Sequence, residues 1–479
     1  MRRITHIPRG LMWSWLVAAM FGGTAATAAW ADCGPGVTHV PGKWIVSPSG
    51  IDDTEAVQCA LDAAVAAGPG RTVQLKAGTF HVGFVRVRGF KGTFRGAGRD
   101  ATRITPLSGL ACAEQLAQGL FPVLVSFDEG YPRISDLMFE MTTDHVDPCE
   151  PYSVPWDPEP LTGLGELLTV GGAPITEADA DHCDALAPAR AGAWVERVHF
   201  KGPFPSTQEV QDQLEYRRYL EHGLGIGGWG NYGVTYCVDW VRRVTGTFTV
   251  RNSLFEDLPS AGVGVSGMLR SRVRIGGSPR AGNRFRNVGF SLAALTNERS
   301  IVDFSYNDAD TQSLVSVAAW QSLPYNQGPP LLPSTVFVHH NKLRVNGTAD
   351  AVFLQDFAPP AGSPATLKAV IAHNIITLAD TAYGGIGSYG AQTIKVYGNK
   401  ISGDGMAGIY AGIWGDDTAG WWIVGNDVSG VNVPPAVAPI WLGASTEDFL
   451  VVGDGHPTSV LDEGTNNVLI NVDKIEPTP

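Results

Sequence analysis

Three short apolar runs in the second half of the sequence end on residues that could bind a sugar and move protons. The first run ends on Gln-Asp, the second on Ser-Tyr, and the third on Trp-Gly-Asp-Asp. An aromatic ring can stack on the apolar face of a pyranose, while a carboxylate transfers protons or holds a cation. If the three runs lie side by side, their ends form one candidate site. Its residues are Gln355, Asp356, Tyr389, Trp414, Asp416 and Asp417.

Two of these carboxylates could act as a catalytic pair. A glycoside hydrolase needs one carboxyl that stays protonated and another that is ionised. In inverting enzymes the two groups stand roughly 6.5–9.5 Å apart. Asp356 with Asp416 or Asp417 is the candidate pair.

A basic segment between Arg242 and Asn287 offers different chemistry. It carries nine arginines against only Glu256 and Asp257. Arg270, Arg272 and Arg274 alternate along the chain, so on a strand they would share one face. Such a stripe could neutralise a polyanionic sugar, and one of its members could act as a base. The alternative is a solvated strand face whose arginines pair with acidic loops.

The segment 144–184 is rich in proline and carries ten acidic residues. We interpret it as a loop inserted beside the candidate site and pinned by a Cys149–Cys183 disulfide. Oxygen-rich loops can bind calcium, although the spacing of the acids fits no EF-hand loop. Calcium is therefore the one cofactor that the sequence suggests, and its ligands stay unassigned.

A repeated skeleton organises the chain around these residues. Each copy has a large apolar residue, an Asn three positions later, and a second apolar residue two positions further on. The copies are Val338–Asn341–Leu343, Ile371–Asn374–Ile376, Val396–Asn399–Ile401 and Ile423–Asn426–Val428. Looser copies surround Asn252 and Asn307. A β run follows each Asn, and no long amphipathic helix intervenes.

Stacked supersecondary units explain a fixed skeleton with variable insertions. We therefore predict a β solenoid in which each copy is one coil and the coils stack as parallel sheets. The apolar residues would face the core, and each Asn would sit at a corner, where it tolerates left-handed backbone. Aligned Asn side chains could form a hydrogen-bonded ladder.

The N-terminal part supplies a leader and a cap. Three arginines, a short apolar stretch and Ala29-Trp30-Ala31 are typical of a signal peptide over residues 1–31, leaving one domain over 32–479. Residues 53–68 form an amphipathic pattern, which predicts a helix that caps the solenoid. Export permits disulfides, and sequence proximity favours Cys33–Cys59.

The charge balance excludes some partners. The net charge is −13 and falls to −16 without the leader, which carries three arginines and no acid. Nucleic acids and anionic membranes are therefore not expected as partners. No stretch after the leader is long and apolar enough to span a bilayer. We expect a periplasmic or extracellular protein.

Three N-terminal stretches give the chain a specific resemblance. DDTEAVQCALDAA, TVQLKAGTFHV and FKGTFRGAGRDATRI resemble the N-terminal segment of the pectate lyase-like superfamily, and ISDLMFEM and VERVHFKG resemble its later coils. The resemblance implies an all-β, right-handed parallel β-helix. It also implies a substrate-binding surface along one sheet and its flanking turns. It does not select an activity, because the superfamily holds lyases, hydrolases, esterases, epimerases and non-catalytic proteins.

We expect a carbohydrate-active protein whose partner is an acidic polysaccharide. The leading hypothesis is a lyase that works by β-elimination. In that reaction Arg270, Arg272 or Arg274 would neutralise the uronate or act as base. Asp356, Asp416 and Asp417 would position the sugar, with Tyr389 and Trp414 as platforms. The alternatives are a glycoside hydrolase that uses the aspartate pair, and a non-catalytic carbohydrate-binding or structural solenoid.

Overall fold

In the residues that it describes, the computed structural model contains mainly β-strands and only two helices. The residues that the structure describes are 33–117, 122–142, 152–154, 157–161, 164–172, 188–206, 220–227, 243–295, 297–312, 316–321, 332–346, 350–356, 366–379, 382, 384–391, 393–404, 412–433, 438–453, 455 and 458–475. The predicted signal peptide and the predicted Cys149–Cys183 pair lie outside these residues. Within the described ranges, no helix is both long and apolar enough to cross a bilayer.

Successive coils stack as parallel strands in three ladders. Ladder 1 is a separate thirteen-stranded sheet, whereas ladders 2 and 3 belong to one twenty-four-stranded sheet and meet at a corner. Ladder 1 consists of Val85–Arg88, Val123–Asp128, Leu164–Val170, Leu220–Gly227, Ala261–Ser266, Phe290–Leu295, Val317–Gln321, Val352–Asp356, Ile386–Tyr389, Ile413–Asp416, Ile440–Leu442, Ser459–Asp462 and Asp473–Ile475.

Ladder 2 consists of Lys43–Val46, Thr72–Leu75, Thr93–Arg95, Val244–Arg251, Arg272–Gly276, Ile301–Ser305, Ser334–His339, Leu367–Ala372, Ile394–Tyr397, Trp422–Val424, Leu450–Val452 and Val468–Ile470. Ladder 3 consists of Gly78–Val82, Thr102–Pro106, Leu254–Glu256, Arg284–Val288, Asp308–Thr311, Lys342–Val345, Ile375–Leu378, Lys400–Asp404 and Asp427–Asn432. Two long strands, Arg133–Glu140 and Ala189–Lys201, bend through both ladders. Two antiparallel pairings stand apart, Val37–Val40 against Lys43–Val46 and Tyr152–Val154 against Asp157–Leu161.

The core is built from rows of apolar residues in strict register. One row on ladder 2 passes through thirteen strands, and every member is at most 1% exposed. Its members are Trp44, Val73, Phe94, Ile134, Val195, Val250, Ile275, Phe304, Val338, Ile371, Val396, Ile423 and Val451. Burying one such side chain stabilises the fold by about 1.5–3 kcal/mol. The predicted inward orientation of both apolar skeleton positions is confirmed.

The predicted asparagine ladder is present at the corner between ladders 2 and 3. Each Asn side chain donates to the Oδ1 of the Asn in the next coil, over 2.9–3.2 Å. The same NH₂ group donates to a main-chain carbonyl of the preceding coil, and each Oδ1 also accepts a backbone N–H. The ladder contains Asn283, Asn307, Asn341, Asn374, Asn399 and Asn426, all buried.

Two details of the corner correct the sequence analysis. The ladder includes Asn283, whereas Asn252 lies outside it and Ser253 occupies the equivalent corner position. In the five coils from Asn307 to Asn426 the left-handed conformation belongs to the residue before the Asn and not to the Asn itself, as at His340 (φ 57°) and His373 (φ 55°). The imidazole rings of these two histidines lie 5.1 Å apart on the outside of the corner.

The N-terminal cap is the helix Thr54–Ala66, which buries one apolar face against the first coils. The Cys33–Cys59 disulfide ties it to the start of the domain, as predicted. The Asp53 side chain does not cap the helix, because it accepts the backbone N–H groups of Ser49 and His81. A second, short helix, Cys112–Ala117, precedes the next ladder 1 strand, and Cys112 is also disulfide-bonded.

The acidic segment 144–184 is not a single loop. Its described part contains the antiparallel hairpin named above and the ladder 1 strand Leu164–Val170. The apolar pattern of that strand is interrupted by a glutamate, which concealed it in the sequence. One predicted insertion thus contributes a strand to a sheet.

Breaking the asparagine ladder should destabilise the whole solenoid. In Asn374→Ala the Asn341 side chain and backbone N–H groups lose their acceptor, and the Val338 carbonyl loses its donor. Because unpaired buried polar groups cost about 1–3 kcal/mol each, we expect the free energy of unfolding to fall by about 3 kcal/mol. Guanidinium denaturation measures it. The exposed change Thr377→Ala on the same coil is the control, and an equal effect of both would contradict the role of the ladder.

Candidate functional site

The outer face of ladder 1 carries a continuous row of in-register residues. Small residues dominate its middle, and polar or aromatic residues stand at its ends. From the N-terminal side the row is Thr169, Gly225, Gly264, Ala293, Ala318, Phe353, Gly387, Trp414 and Trp441. The residues that flank Gly225 and Gly264 in their strands point into the core. Since Gly225 and Gly264 themselves carry no side chain, longer side chains from neighbouring positions can lie flat on the outer face there.

A glutamate and a histidine from adjacent strands use this room. The Nδ1 atom of His222 lies 3.4 Å from Oε1 of Glu166, and the Thr169 hydroxyl donates to the same carboxylate. A Cβ at Gly225 would collide with the Glu166 carboxylate, and one at Gly264 would come 2.8 Å from the His222 ring. The glycines are thus what allows the pair to lie on the outer face.

Burial makes this pair chemically distinctive. Glu166 is 0% and His222 3% exposed. A carboxylate that faces one ring nitrogen of a histidine orients the ring and favours its protonated form during a reaction. In a site of low dielectric this interaction is stronger than in water. The arrangement thus has the geometry of a histidine that a carboxylate orients.

A second polar group lies two strands before His222. The Ser126 hydroxyl donates to Oδ1 of Asp128 over 2.6 Å, and the Arg86 guanidinium lies 3.2 Å from Oδ2. Burial raises the pKa of Asp128 above its ordinary value, although Arg86 and Ser126 lower it in part. Ser126 pairs in register with Thr169, so this group continues the polar end of the row.

The Glu–His pair was not predicted from the sequence. The two residues are 56 positions apart, and Glu166 was counted among the acids of a loop. A local signal was present in both strands. LGELLTV places one charged residue and LEHGLGIG places Glu221 and His222 inside an apolar run, and both runs contain glycine. A polar residue in such a run faces either the core or a covered site.

Of the predicted residues, Trp414, Tyr389 and Gln355 all stand on the outer face of ladder 1. The Trp414 ring lies over Gly387, and its indole N–H donates to Oδ1 of Asp350 over 2.8 Å. Tyr389 is exposed and pairs in register with Gln355. The strand of Gln355 lies about 19 Å from that of His222, because four spacings of about 4.7–4.9 Å separate them, and the strand of Trp414 is two spacings further, about 29 Å away.

The predicted aspartates do not come together. Asp356 is 1% exposed and accepts hydrogen bonds from the Thr366 hydroxyl and from the backbone N–H groups of Thr366 and Leu367. Asp416, in register with Tyr389, is on the outer face, where it accepts from Ser445. Asp356 alternates with Gln355 and therefore points to the opposite face. The contacts of Asp356 are those of a structural carboxylate.

Asp417 follows Asp416 in a left-handed conformation (φ 50°) and is exposed. Its backbone N–H donates to the Ser445 hydroxyl, so it shapes the turn that leaves ladder 1. Asp416 and Asp417 stay candidates for contact with a sugar at the aromatic end. Neither faces Asp356 as a hydrolase pair would require.

The predicted arginine stripe belongs to another sheet. Arg272 and Arg274 share the outer face of ladder 2, where Arg274 lies 3.6 Å from Asp303. Arg270 precedes the strand in a left-handed conformation (φ 51°). The structure therefore does not bring the arginines to the aspartates or to the Glu–His pair on ladder 1.

No metal centre is apparent in the part of the chain that the structure describes. There, no group of three or more His, Cys, Asp or Glu side chains is placed to hold an ion. The suggested calcium site belongs to segment 144–184, much of which lies outside the described ranges, and it stays a prediction.

Comparison with known proteins defines the fold. No family model and no curated protein sequence matches this chain. The solved A-module of the mannuronan C-5 epimerase AlgE6 from Azotobacter vinelandii is similar, with a TM-score of 0.51 and 14% identity, over 90% of this chain and 97% of that one. The similarity confirms the predicted right-handed parallel β-helix.

Two further solved structures align over most of this chain. DFA-IIIase from Arthrobacter chlorophenolicus A6 gives a TM-score of 0.45 at 12% identity, over 92% of this chain and 97% of that one. The periplasmic alginate epimerase AlgG gives 0.41 at 12% identity, over 92% and 80%.

Asp350 makes the stability of the fold depend on pH. Burial raises its pKa from 3.8 to about 7, and the Trp414 N–H offsets this only in part. Between these values the folded chain keeps the proton and the unfolded chain loses it, so stability falls as pH rises from about 4 to 7. Between pH 5 and pH 8 we expect the free energy of unfolding of Asp350→Asn to fall by about 2–3 kcal/mol less than that of the wild type. Denaturation curves across this range measure it.

The exposed change Glu447→Gln is the matched control, because it removes a carboxylate without a burial effect. It should leave the pH dependence of the wild type unchanged. If Asp350→Asn also leaves that dependence unchanged, Asp350 is ionised in the folded protein at neutral pH.

Proposed function

We propose that the protein is an exported enzyme that acts on a uronate-containing polysaccharide by β-elimination, with His222 and Glu166 as its proton-transfer pair. The observation that carries this proposal is the buried contact between the His222 ring and the Glu166 carboxylate on the outer face of ladder 1. The pair belongs to a long sheet whose strands repeat along the solenoid, and such a sheet can follow a polymeric substrate.

Elimination needs few groups, and the pair can supply the proton transfers. The neutral His222 ring removes the proton from C5, beside the sugar carboxylate. The C5–H electrons form the C4=C5 double bond as the C4–O4 bond breaks, and the imidazolium protonates the leaving O4 oxygen. Glu166 stabilises the imidazolium between these two transfers. One histidine can serve both as base and as acid if proton and leaving oxygen lie on the same side of the ring.

Two further observations support the substrate class and the compartment. One solved protein with a similar fold is a mannuronan C-5 epimerase module, whose name describes an enzyme acting on a polyuronate. The Cys33–Cys59 disulfide fits an oxidising compartment outside the cytoplasm.

Epimerisation at C5 is the second candidate, and the same fold similarity favours it. It begins with the same proton removal but ends with protonation of C5 from the opposite face, and the C4–O4 bond stays intact. The two reactions therefore differ in their products and not in the first role of His222.

An activity screen tests the proposal directly. The purified chain from residue 32 would be incubated with polygalacturonate, alginate and neutral glycans, with and without calcium. We expect ultraviolet absorption from unsaturated ends on a polyuronate. A change of sugar configuration by NMR without new ends would establish epimerisation instead. New saturated reducing ends, or no product from any polymer, would overturn the proposed chemistry.

Substitution of the pair should separate catalysis from folding. Glu166→Gln keeps the shape of the side chain but removes the charge that stabilises the imidazolium, so we expect turnover to fall about 100-fold or more. His222→Ala should be inactive, and added imidazole should restore part of its activity. Initial rates and circular dichroism measure both effects.

His373→Ala is the matched control, because this exposed histidine lies at the corner between ladders 2 and 3. It should turn over substrate at the wild-type rate. Folded Glu166→Gln or His222→Ala protein with full activity would show that the pair is structural.

A further inference from the structure

The outer face of ladder 2 carries an unusual concentration of arginine. Over the coils from Thr93–Arg95 to Arg272–Gly276, these side chains alternate with core residues and so point outward. The arginines are Arg95, Arg133, Arg190, Arg251, Arg272 and Arg274. Five strands at 4.7–4.9 Å spacing make this surface about 19 Å long.

Acidic residues balance only part of this charge. Glu196 pairs with Arg251 over 2.8 Å, and Asp303 lies 3.6 Å from Arg274. In the described part of the chain no ion pair engages Arg133, Arg190 or Arg272, and all three are exposed. In a protein of net charge −13, such a surplus on one flat face is a local exception.

Exposed aromatic rings lie among these arginines. Trp194 is 36% exposed, and the Arg251 guanidinium stands 4.2 Å above its ring. Tyr131 is 48% exposed and lies against Gly192, where a Cβ would come 2.9 Å from its ring. Aromatic rings can stack on the apolar faces of sugars, and guanidinium groups bind carboxylates in bidentate fashion. The two together match a chain of acidic sugars.

We propose that this outer face of ladder 2 is a second polysaccharide-binding surface, which holds an acidic polymer away from the catalytic pair. The identity of the polymer rests on the proposed function. The surface lies on a different sheet from Glu166 and His222, so it binds the polymer without contacting the reacting atoms. Arg272 and Arg274, which the sequence placed in catalysis, then contribute charge to binding.

Affinity electrophoresis in gels that contain polygalacturonate or alginate tests this surface. The starting protein is Glu166→Gln, so that degradation of the polymer during the run is slowed about 100-fold or more. Arg133→Gln combined with Arg272→Gln should raise the apparent dissociation constant about tenfold, because the variant loses two exposed guanidinium contacts with the polymer carboxylates. Retardation should also weaken as salt increases and be absent in gels that contain dextran.

Arg280→Gln combined with Arg284→Gln is the matched control. It removes the same charge from the same basic segment, but Arg284 lies on ladder 3 and Arg280 in the turn before it. We expect less than a twofold effect on binding. If both double variants weaken binding equally, the proposed binding surface is wrong. It is also wrong if neither polygalacturonate nor alginate retards the starting protein.

The outcomes also separate this surface from the proposed function. If no polyuronate is converted but the Arg133/Arg272 variant alone loses binding, the catalytic proposal fails and the binding surface stands. If a polyuronate is converted and that variant binds normally, the binding surface fails and the catalytic proposal stands.

Discussion

The chain of hydrogen bonds between stacked asparagine side chains is the constraint on which the described half-solenoid from Asn283 to Asn426 depends. Each amide donates to the next coil and to the preceding one, so the position of one coil fixes its neighbours. Coils of 24 to 34 residues can then carry insertions of different length without loss of register. Because register is kept, side chains far apart in sequence form straight rows on the outside.

These rows divide the described surface into faces with different chemistry. The outer face of ladder 1 combines small residues with a buried Glu–His pair at one end and Trp414 with Asp350 towards the other. Ladder 2 presents arginines and exposed rings. On ladder 3, acidic and basic side chains form ion pairs with each other. For example, Arg103 and Lys201 both contact the Glu140 carboxylate. We propose that the first face carries the chemistry and the second binds the polymer.

The sequence predicted what is local and repeated. The apolar–Asn–apolar skeleton defined the coils, the core rows and the ladder, and the N-terminal pattern predicted the cap helix. Direction within a strand was harder, because a shift of one residue moves a side chain to the other face. Gln355 and Asp356 are neighbours in one strand, so Gln355 points outward and Asp356 inward, although the sequence placed both in one site. Glu166 and His222 were missed because only the fold brings them together, across an intervening coil segment of ladders 2 and 3.

The central claim is that a uronate polymer reacts on ladder 1 at His222. The most direct measurement is a crystal structure of the folded Glu166→Gln protein soaked with an oligogalacturonate or oligomannuronate. The account predicts a sugar along the outer face of ladder 1, with one C5 atom about 3–3.5 Å from a His222 ring nitrogen. An oligosaccharide bound only on another face, with none at His222, would contradict it.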